Sequence, residues 1–450
     1  MTRAALLSAL ALALAGCAST SAKHPYDDVA KTVSARTGHP LRWDENTAED
    51  HAATKAIEDL LAHDLDADAA VQIALLASPD LRAKLEELTI GQADLVQAGL
   101  LSNPVFTIGR TAWESSHILP NLFVSVEEDF LQVLTLPLRR RVAAVELERV
   151  KLEVGWEVLE LASQVRTAFH RAQAGEQIAR MRSLVDEAAG TSAELARRQF
   201  DAGNINELGL NGELALAAQA SLDRRRAEAD RIVMREEVNK LLGLWGTRTS
   251  WRMTPRLPEL PPSEVALEGL ESRAIGDRLD VAALRRQSQA ISEAVTLAKT
   301  TRWTGTVSVS VLAGRLRDSK RVAFGPSVGI EIPLFDQRRA GISRLEATGR
   351  QTEDRLQALS IDVRADVRAT AARVLAARAI VLDYAKTIVP LRENAVRLTQ
   401  QQYDAMLFGV YQLIQSKQAE FSAYREYIEA LRDYWIARSD LELVVGSRLK

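Results

Sequence analysis

Four short stretches of the chain alternate between apolar and polar positions. In Ser327–Ile332, Val328, Ile330 and Ile332 fall on one side and Ser327, Gly329 and Glu331 on the other. In Thr306–Leu312, Val307, Val309 and Val311 alternate with Ser308 and Ser310. Val105–Thr111 and Leu122–Glu128 read the same way. A period of two predicts strands with one apolar and one small or polar face. In water such a strand buries its apolar face. In a membrane barrel it shows that face to lipid and lines the lumen with Ser, Thr and Glu.

Each pair of strands is followed by a very long helical pattern, Leu138–Ala202 and Ala340–Asp404. At 1.5 Å per residue each would extend roughly 98 Å, far beyond an ordinary globular helix. The first holds no proline, and the second holds only Pro390, which is expected to kink it. A turn and a second long helix follow in each case, Asn206–Gly243 and Val410–Gly446. Shorter helical patterns, about 68–101 and about 263–300, precede the strands. Apolar positions such as Leu208, Leu214, Leu222 and Ile232, with charged faces between them, predict helices packed side by side.

The order of these elements repeats. Ser78-Pro79-Asp80-Leu81 returns as Arg278-Leu279-Asp280-Val281, and Leu136-Pro137-Leu138 as Ile332-Pro333-Leu334. Phe200-Asp201-Ala202-Gly203 returns as Tyr403-Asp404-Ala405-Met406, and Gly243 as Gly446, always about 200 positions later. The chain reads as two copies of one unit, 68–244 and 264–450, joined by a proline-rich linker at 245–263. Pro255, Pro258, Pro261 and Pro262 exclude helix and central strand there and predict a linker laid along the surface. Residues 18–65 are polar and read as irregular.

The first residues change the picture. Arg3 and the apolar run Ala4–Leu14 read as a signal peptide over 1–16, too short to span a bilayer as a mature helix. The run ends in Leu14-Ala15-Gly16-Cys17, with the only cysteine of the chain. Small residues directly before a cysteine resemble a bacterial lipobox, which makes Cys17 a lipidation site heading a segment over 17–67. The alternative is an ordinary signal peptide that happens to contain a cysteine. A lone cysteine excludes an internal disulfide. Ala18 rather than Asp after it resembles the sorting signal for the outer membrane.

Composition narrows the class. Charged residues make up 26%, aromatics 5%, and the formal net charge is -3, so nucleic acid is not an expected partner. The mature chain has no uninterrupted apolar run long enough for a transmembrane helix, so any span must be a closed β-barrel. Four strands cannot close one, since the smallest membrane barrels have about 8. Two copies would supply about 8 strands and three about 12, and a cyclic oligomer follows if the strands lie in lipid. The six histidines are scattered without ligand spacing, and no phosphate loop or nucleophile elbow appears, so no metal, cofactor or enzyme chemistry is expected.

Together, the duplicated helix–strand–strand–long helix–helix unit, the Leu-Pro-Leu and Ile-Pro-Leu-Phe-Asp exits and the Phe-Asp-Ala-Gly-Asn turn resemble the TolC family of outer-membrane efflux channels. The resemblance covers about 68–450. It implies a mainly α protein with membrane β: a homotrimer forming a 12-stranded barrel in outer-membrane lipid, continued by a long periplasmic α-helical barrel. It also implies an inner-membrane pump and a periplasmic adaptor as partners, and export without chemistry. The alternative is a lipid-anchored periplasmic adaptor, which should carry one helical hairpin rather than two.

The resemblance makes Gly203-Asn204 and Phe408-Gly409-Val410-Tyr411 the periplasmic tip. The first turn is a polar stop and restart; the second exposes large apolar groups that suit either a partner or gate surface, or packing within the chain. Gln412 and Gln415 match positions where the family often has acids, which argues against an acidic ring here. Pro137 and Arg139, and Pro333 and Arg338, mark the strand-to-helix junctions. Arg139-Arg140-Arg141 and Arg338-Arg339 read either as solvated helix starts or as headgroup or inter-protomer contacts. Trp113, Phe123, Phe130, Trp303, Phe324 and Phe335 flank the strands as an interfacial girdle would, or as ordinary packing.

Overall fold

The computed structural model describes residues 23–42, 48–110, 120–264, 268–303, 305–316 and 322–449. The chain forms two compact units, each drawing on both sequence repeats. One holds 85–154 and 279–360 with the described residues up to Val29; the other holds 30–84, 155–278 and 361–449.

The first unit is built around a four-stranded sheet. Its strands are β2 (Val105–Arg110), β3 (Pro120–Asp129), β5 (Val307–Leu316) and β6 (Val322–Ile330), antiparallel and in the order β2-β3-β5-β6. The central pairing of β3 with β5 joins one repeat to the other, with Val126 opposite Val311. Parts of four helices complete this unit: α4 (Pro79–Ala98), α5 (Leu131–Asp201), α8 (Leu279–Thr300) and α9 (Arg339–Asp383). Leu85, Leu88, Leu147, Val281, Ala290 and Ile342 are its buried apolar groups.

The second unit is helical. Its long members are the remainder of α5 and α9, with α6 (Glu207–Leu242), α10 (Val389–Asp404) and α11 (Val410–Val445). Buried positions follow spacings of three and four: Val158, Ala162, Val165 and Phe169 on α5, and Val363, Val367, Thr370 and Val374 on α9. Such a stripe is a coiled-coil seam, and it explains why helices with many charges hold together. α5 alone runs 71 residues, a rise of about 106 Å.

Expected boundaries shift in five places. First, the segment read as irregular contains α1 (Lys23–Thr37) and α2 (Ala48–Leu61), followed by the short β1 (Asp64–Leu65). In α1 Val29, Val33 and Thr37 lie four apart on one buried stripe, a weak signal among polar neighbours. Second, each helix before the strands is broken in two. α3 (Ala67–Ala77) stops before Pro79, and α7 (Leu270–Asp277) stops before Arg278. The landmarks that repeat in the sequence are therefore helix breaks. Third, Pro137 does not end a strand: β3 stops at Asp129, and α5 has already begun at Leu131. The Asp129 carboxylate accepts from the Leu131 N–H at 3.0 Å and starts the helix early. Arg139 covers the Gln132 carbonyl at 3.3 Å, in the turn that Pro137 leaves short of a donor.

Fourth, Pro390 is met by a π turn over Tyr384–Ile388 between α9 and α10. Fifth, the linker is more than a surface strap. After a 3-10 turn at Gly246–Thr249, β4 (Arg252–Met253) pairs in parallel with β1, and Trp251, Met253 and Leu257 are buried. Trp251 donates to Asn239 at 2.7 Å and lies 4.3 Å under the Arg235 guanidinium. Gln173 holds Thr254 and Arg256 by donating to both carbonyls, at 3.0 and 2.7 Å.

Candidate functional site

The strand register sorts the sheet side chains into two faces. Phe106, Ile108, Leu122, Val126, Val309, Val311, Val322, Phe324, Val328 and Ile330 share one face. All of these are exposed; Phe324 is 72% and Val328 64% accessible. The opposite face carries Thr107, Ser125, Glu127, Ser308, Ser310 and Ser327, with Ser310 and Ser327 hydrogen-bonded at 2.7 Å. Phe123 belongs to this second face, where its ring lies over its cross-strand partner Gly109. It is therefore not part of an apolar girdle: its odd position in β3 assigns it to the polar side. A monomer seldom leaves an uncovered apolar face of this extent in water. In lipid the same face is satisfied, and the polar face needs water.

Below the strands the chain is pinned by specific bonds. Thr306 gives both its N–H and its hydroxyl to Glu331, at 2.9 and 3.0 Å, which ties the start of β5 to the end of β6. Pro333 lies in the extended link after β6. Leu334 and Phe335 follow it, and the Phe335 ring is fully open. Arg338 takes a left-handed backbone with φ 57°. Its N–H bonds Asp336 at 2.8 Å and its guanidinium reaches Thr301 at 3.0 Å, which holds the strained residue in place. Arg139 faces the Gln132 carbonyl, and Arg141 lies 3.7 Å from Glu293. Phe130 and Trp303 are exposed near the strand ends, while Trp113 and Cys17 lie outside the described residues.

In the helical unit, the two helix-to-helix turns share a backbone and differ in chemistry. In the first, Gly203 has φ 74°, and Asn204 N–H returns to the Gln199 carbonyl at 2.8 Å. Asn206 then caps α6 by accepting from Gly209 N–H at 2.9 Å. In the second turn the left-handed residue is Met406, φ 58°, with Leu407 N–H returning to the Gln402 carbonyl at 2.9 Å. Gly409 caps α11 with no side chain to help. Met406 is 94% exposed, and Leu407, Phe408 and Tyr411 are also open. The Tyr411 hydroxyl sits against Gly209, so the two turns meet there. Gln412 and Gln415 are exposed on α11, and Gln412 N–H bonds the Gly409 carbonyl at 3.2 Å.

A second polar cluster was not visible in the sequence. Glu264, at the end of the linker, accepts from Tyr434 at 2.8 Å and Arg438 at 3.1 Å and lies 3.6 Å from Arg378. Nearby on the chain, Asp68 is drawn down to about 2 by His39, then by the Arg448 and Arg166 guanidiniums, against the effect of burial. His170 is buried, stacked 5.7 Å from Trp435, and burial lowers its ring to about 4. These groups knit helices together. Among the described residues no cluster of His, Cys, Asp or Glu could hold a metal ion, and no helix is long and apolar enough to cross a membrane.

This arrangement is found in solved structures. A membrane protein from Pseudomonas aeruginosa superposes with a TM-score of 0.73 at 17% identity, over 85% of this chain and 93% of that one. The outer membrane protein VceC from Vibrio cholerae gives 0.68 at 17% identity, over 85% and 97%. The CmeC outer membrane channel of Campylobacter jejuni gives 0.72 at 13% identity, over 88% of each chain. No protein-family model and no curated protein sequence matches the chain. At these identities the likeness establishes the fold: the chain has the architecture of the TolC-like outer-membrane channels, as the duplicated helix–strand–strand unit implied.

Proposed function

We propose that the protein is the outer-membrane channel of a tripartite efflux system. It passively exports substrate handed over by an inner-membrane pump and a periplasmic adaptor. The observation that carries this reading is the sheet with one exposed apolar face and one polar face. Its edges, β2 and β6, are unpaired within the chain. Open edges are not tolerated in lipid, so copies must pair edge to edge; three would give about 12 strands around a polar lumen. The fold neighbours are channels rather than enzymes, which supports a role without chemistry.

In this reading Cys17, after cleavage of residues 1–16, carries the lipid anchor. Pro137, Arg139, Pro333 and Arg338 lie where strands give way to periplasmic helices, and the Gly203-Asn204 and Phe408–Gln415 turns form the tip. The exposed apolar turn at Met406–Phe408 offers the adaptor or the closed gate a dry contact, and Gln412 and Gln415 supply amide rather than acidic contacts. The two repeats, 68–244 and 264–450, build one wall segment. Two hairpins per chain count against the adaptor alternative. Reconstitution of the purified full chain into planar bilayers tests the proposal. Discrete conductance steps are expected, and a protein that extracts without detergent and conducts nothing contradicts it.

A further inference from the structure

The two helical hairpins, α5 with α6 and α9–α10 with α11, differ in how they are built. α5 continues as regular helix through Glu187, the position matching Pro390, whereas the ladder between α9 and α10 opens into a π turn at Tyr384–Ile388. Pro390 explains the turn. It has no N–H to donate, and in an α ladder its ring would press on the Lys386 carbonyl; widening the ladder relieves that contact.

The helices on the two sides of this turn are held unequally. Before it, α9 is fixed to the linker: Arg378 donates to the carbonyls of Pro261 and Pro262 at 2.8 and 3.0 Å. The far part of α11 is fixed to the same linker, with Trp435 donating to the Pro258 carbonyl at 2.8 Å and Tyr434 to Glu264 at 2.8 Å. Beyond the turn, α10 meets α11 through hydroxyl groups. Tyr384 donates to Glu426 at 3.0 Å, Tyr424 to Glu393, and Thr399 pairs with Ser416 at 3.0 Å. The first hairpin is tied instead by ion pairs, Arg224 to Asp186 at 2.7 Å and Arg231 to Glu176 at 3.3 Å. A hydroxyl exchanges its partner for water at little cost, while a partly buried charge does not.

We propose that the π turn at Tyr384–Ile388 is a hinge on which α10 swings relative to α11, with the Tyr384–Glu426 bond as its latch and the linker as its fixed end. The strained Met406 backbone then sits at the end of the moving arm, where the turn rearranges as the arm moves. Within the channel reading, this hinge is how the second hairpin changes the bore while the first stays in place.

The test is a pair of spin-label distances in the full chain on a Cys17→Ser background. Labels at Leu375→Cys and Leu398→Cys span the π turn, and labels at Arg171→Cys and Leu195→Cys span the matching part of α5. The distribution across the turn is expected to be about twofold wider than the control. Pro390→Ala should narrow it to the control width, and Tyr384→Phe should widen it further. Equal widths in the unmodified helices, or no narrowing with Pro390→Ala, overturn the hinge. Because distances do not depend on conduction, a wide distribution in a protein that never conducts leaves the hinge standing and removes the channel reading.

Discussion

Gly243 closes directly over Pro79: a Cβ on Gly243 would lie 2.7 Å from Pro79 Cδ and 2.9 Å from the Ala77 carbonyl oxygen. The second repeat makes the same contact, with Gly446 above Arg278 at 3.2 Å from its Cα. In both places the left-handed glycine that ends a long helix seats in a helix break. Gly243→Ala adds backbone strain and a clash with main chain, and is expected to cost about 2 kcal/mol. Gly446→Ala meets looser neighbours and should cost about 1 kcal/mol. Thermal unfolding of the two variants checks the order.

Met406 reverses the argument. Its left-handed backbone costs about 1 kcal/mol that Gly203 avoids. Met406→Gly should raise stability by about 0.5 kcal/mol, after allowing for the extra freedom glycine gives the unfolded chain. If the exposed turn is a contact surface, the same change should weaken adaptor binding while stabilising the protein. Opposite signs in a melting curve and a pull-down would show this.

Much of the architecture was legible from the sequence because its signals are local. Alternation at Val307–Val311 needs only a period of two, and Gly203-Asn204 needs only turn chemistry. The rest depended on distant partners. α1 was missed because only Val29, Val33 and Thr37 mark its buried stripe. Pro137 looked like a strand end, but Asp129 starts the helix before it. The Glu264 cluster joins residues about 170 positions apart, and no spacing rule brings Glu264 to Tyr434.

His170 supplies a pH prediction. Its ring is held at about 4 by burial, below its ordinary 6.5. Above about pH 6.5 both folded and unfolded chains hold it neutral. As pH falls toward 4, only the unfolded chain takes the proton, so stability is lost across that window and rises again as pH is raised. The loss approaches about 3 kcal/mol. His170→Phe should remove that slope in unfolding curves measured between pH 6.5 and 4.

Glu264→Ala should cost about 2–3 kcal/mol, because it strips Arg378, Arg438 and Tyr434 of one shared acceptor. Glu264→Gln keeps the shape but not the charge, and should recover part of the loss. Chemical denaturation of both variants in detergent measures the difference.

The central claim is that the apolar face of the sheet meets lipid. Single nitroxide labels at each position from Val307 to Leu312, in protein reconstituted into vesicles, test it directly. Collision with oxygen should peak at 307, 309 and 311, and collision with a water-soluble nickel complex at 308, 310 and 312. The opposite phase, or equal water access at all six positions, would contradict the account.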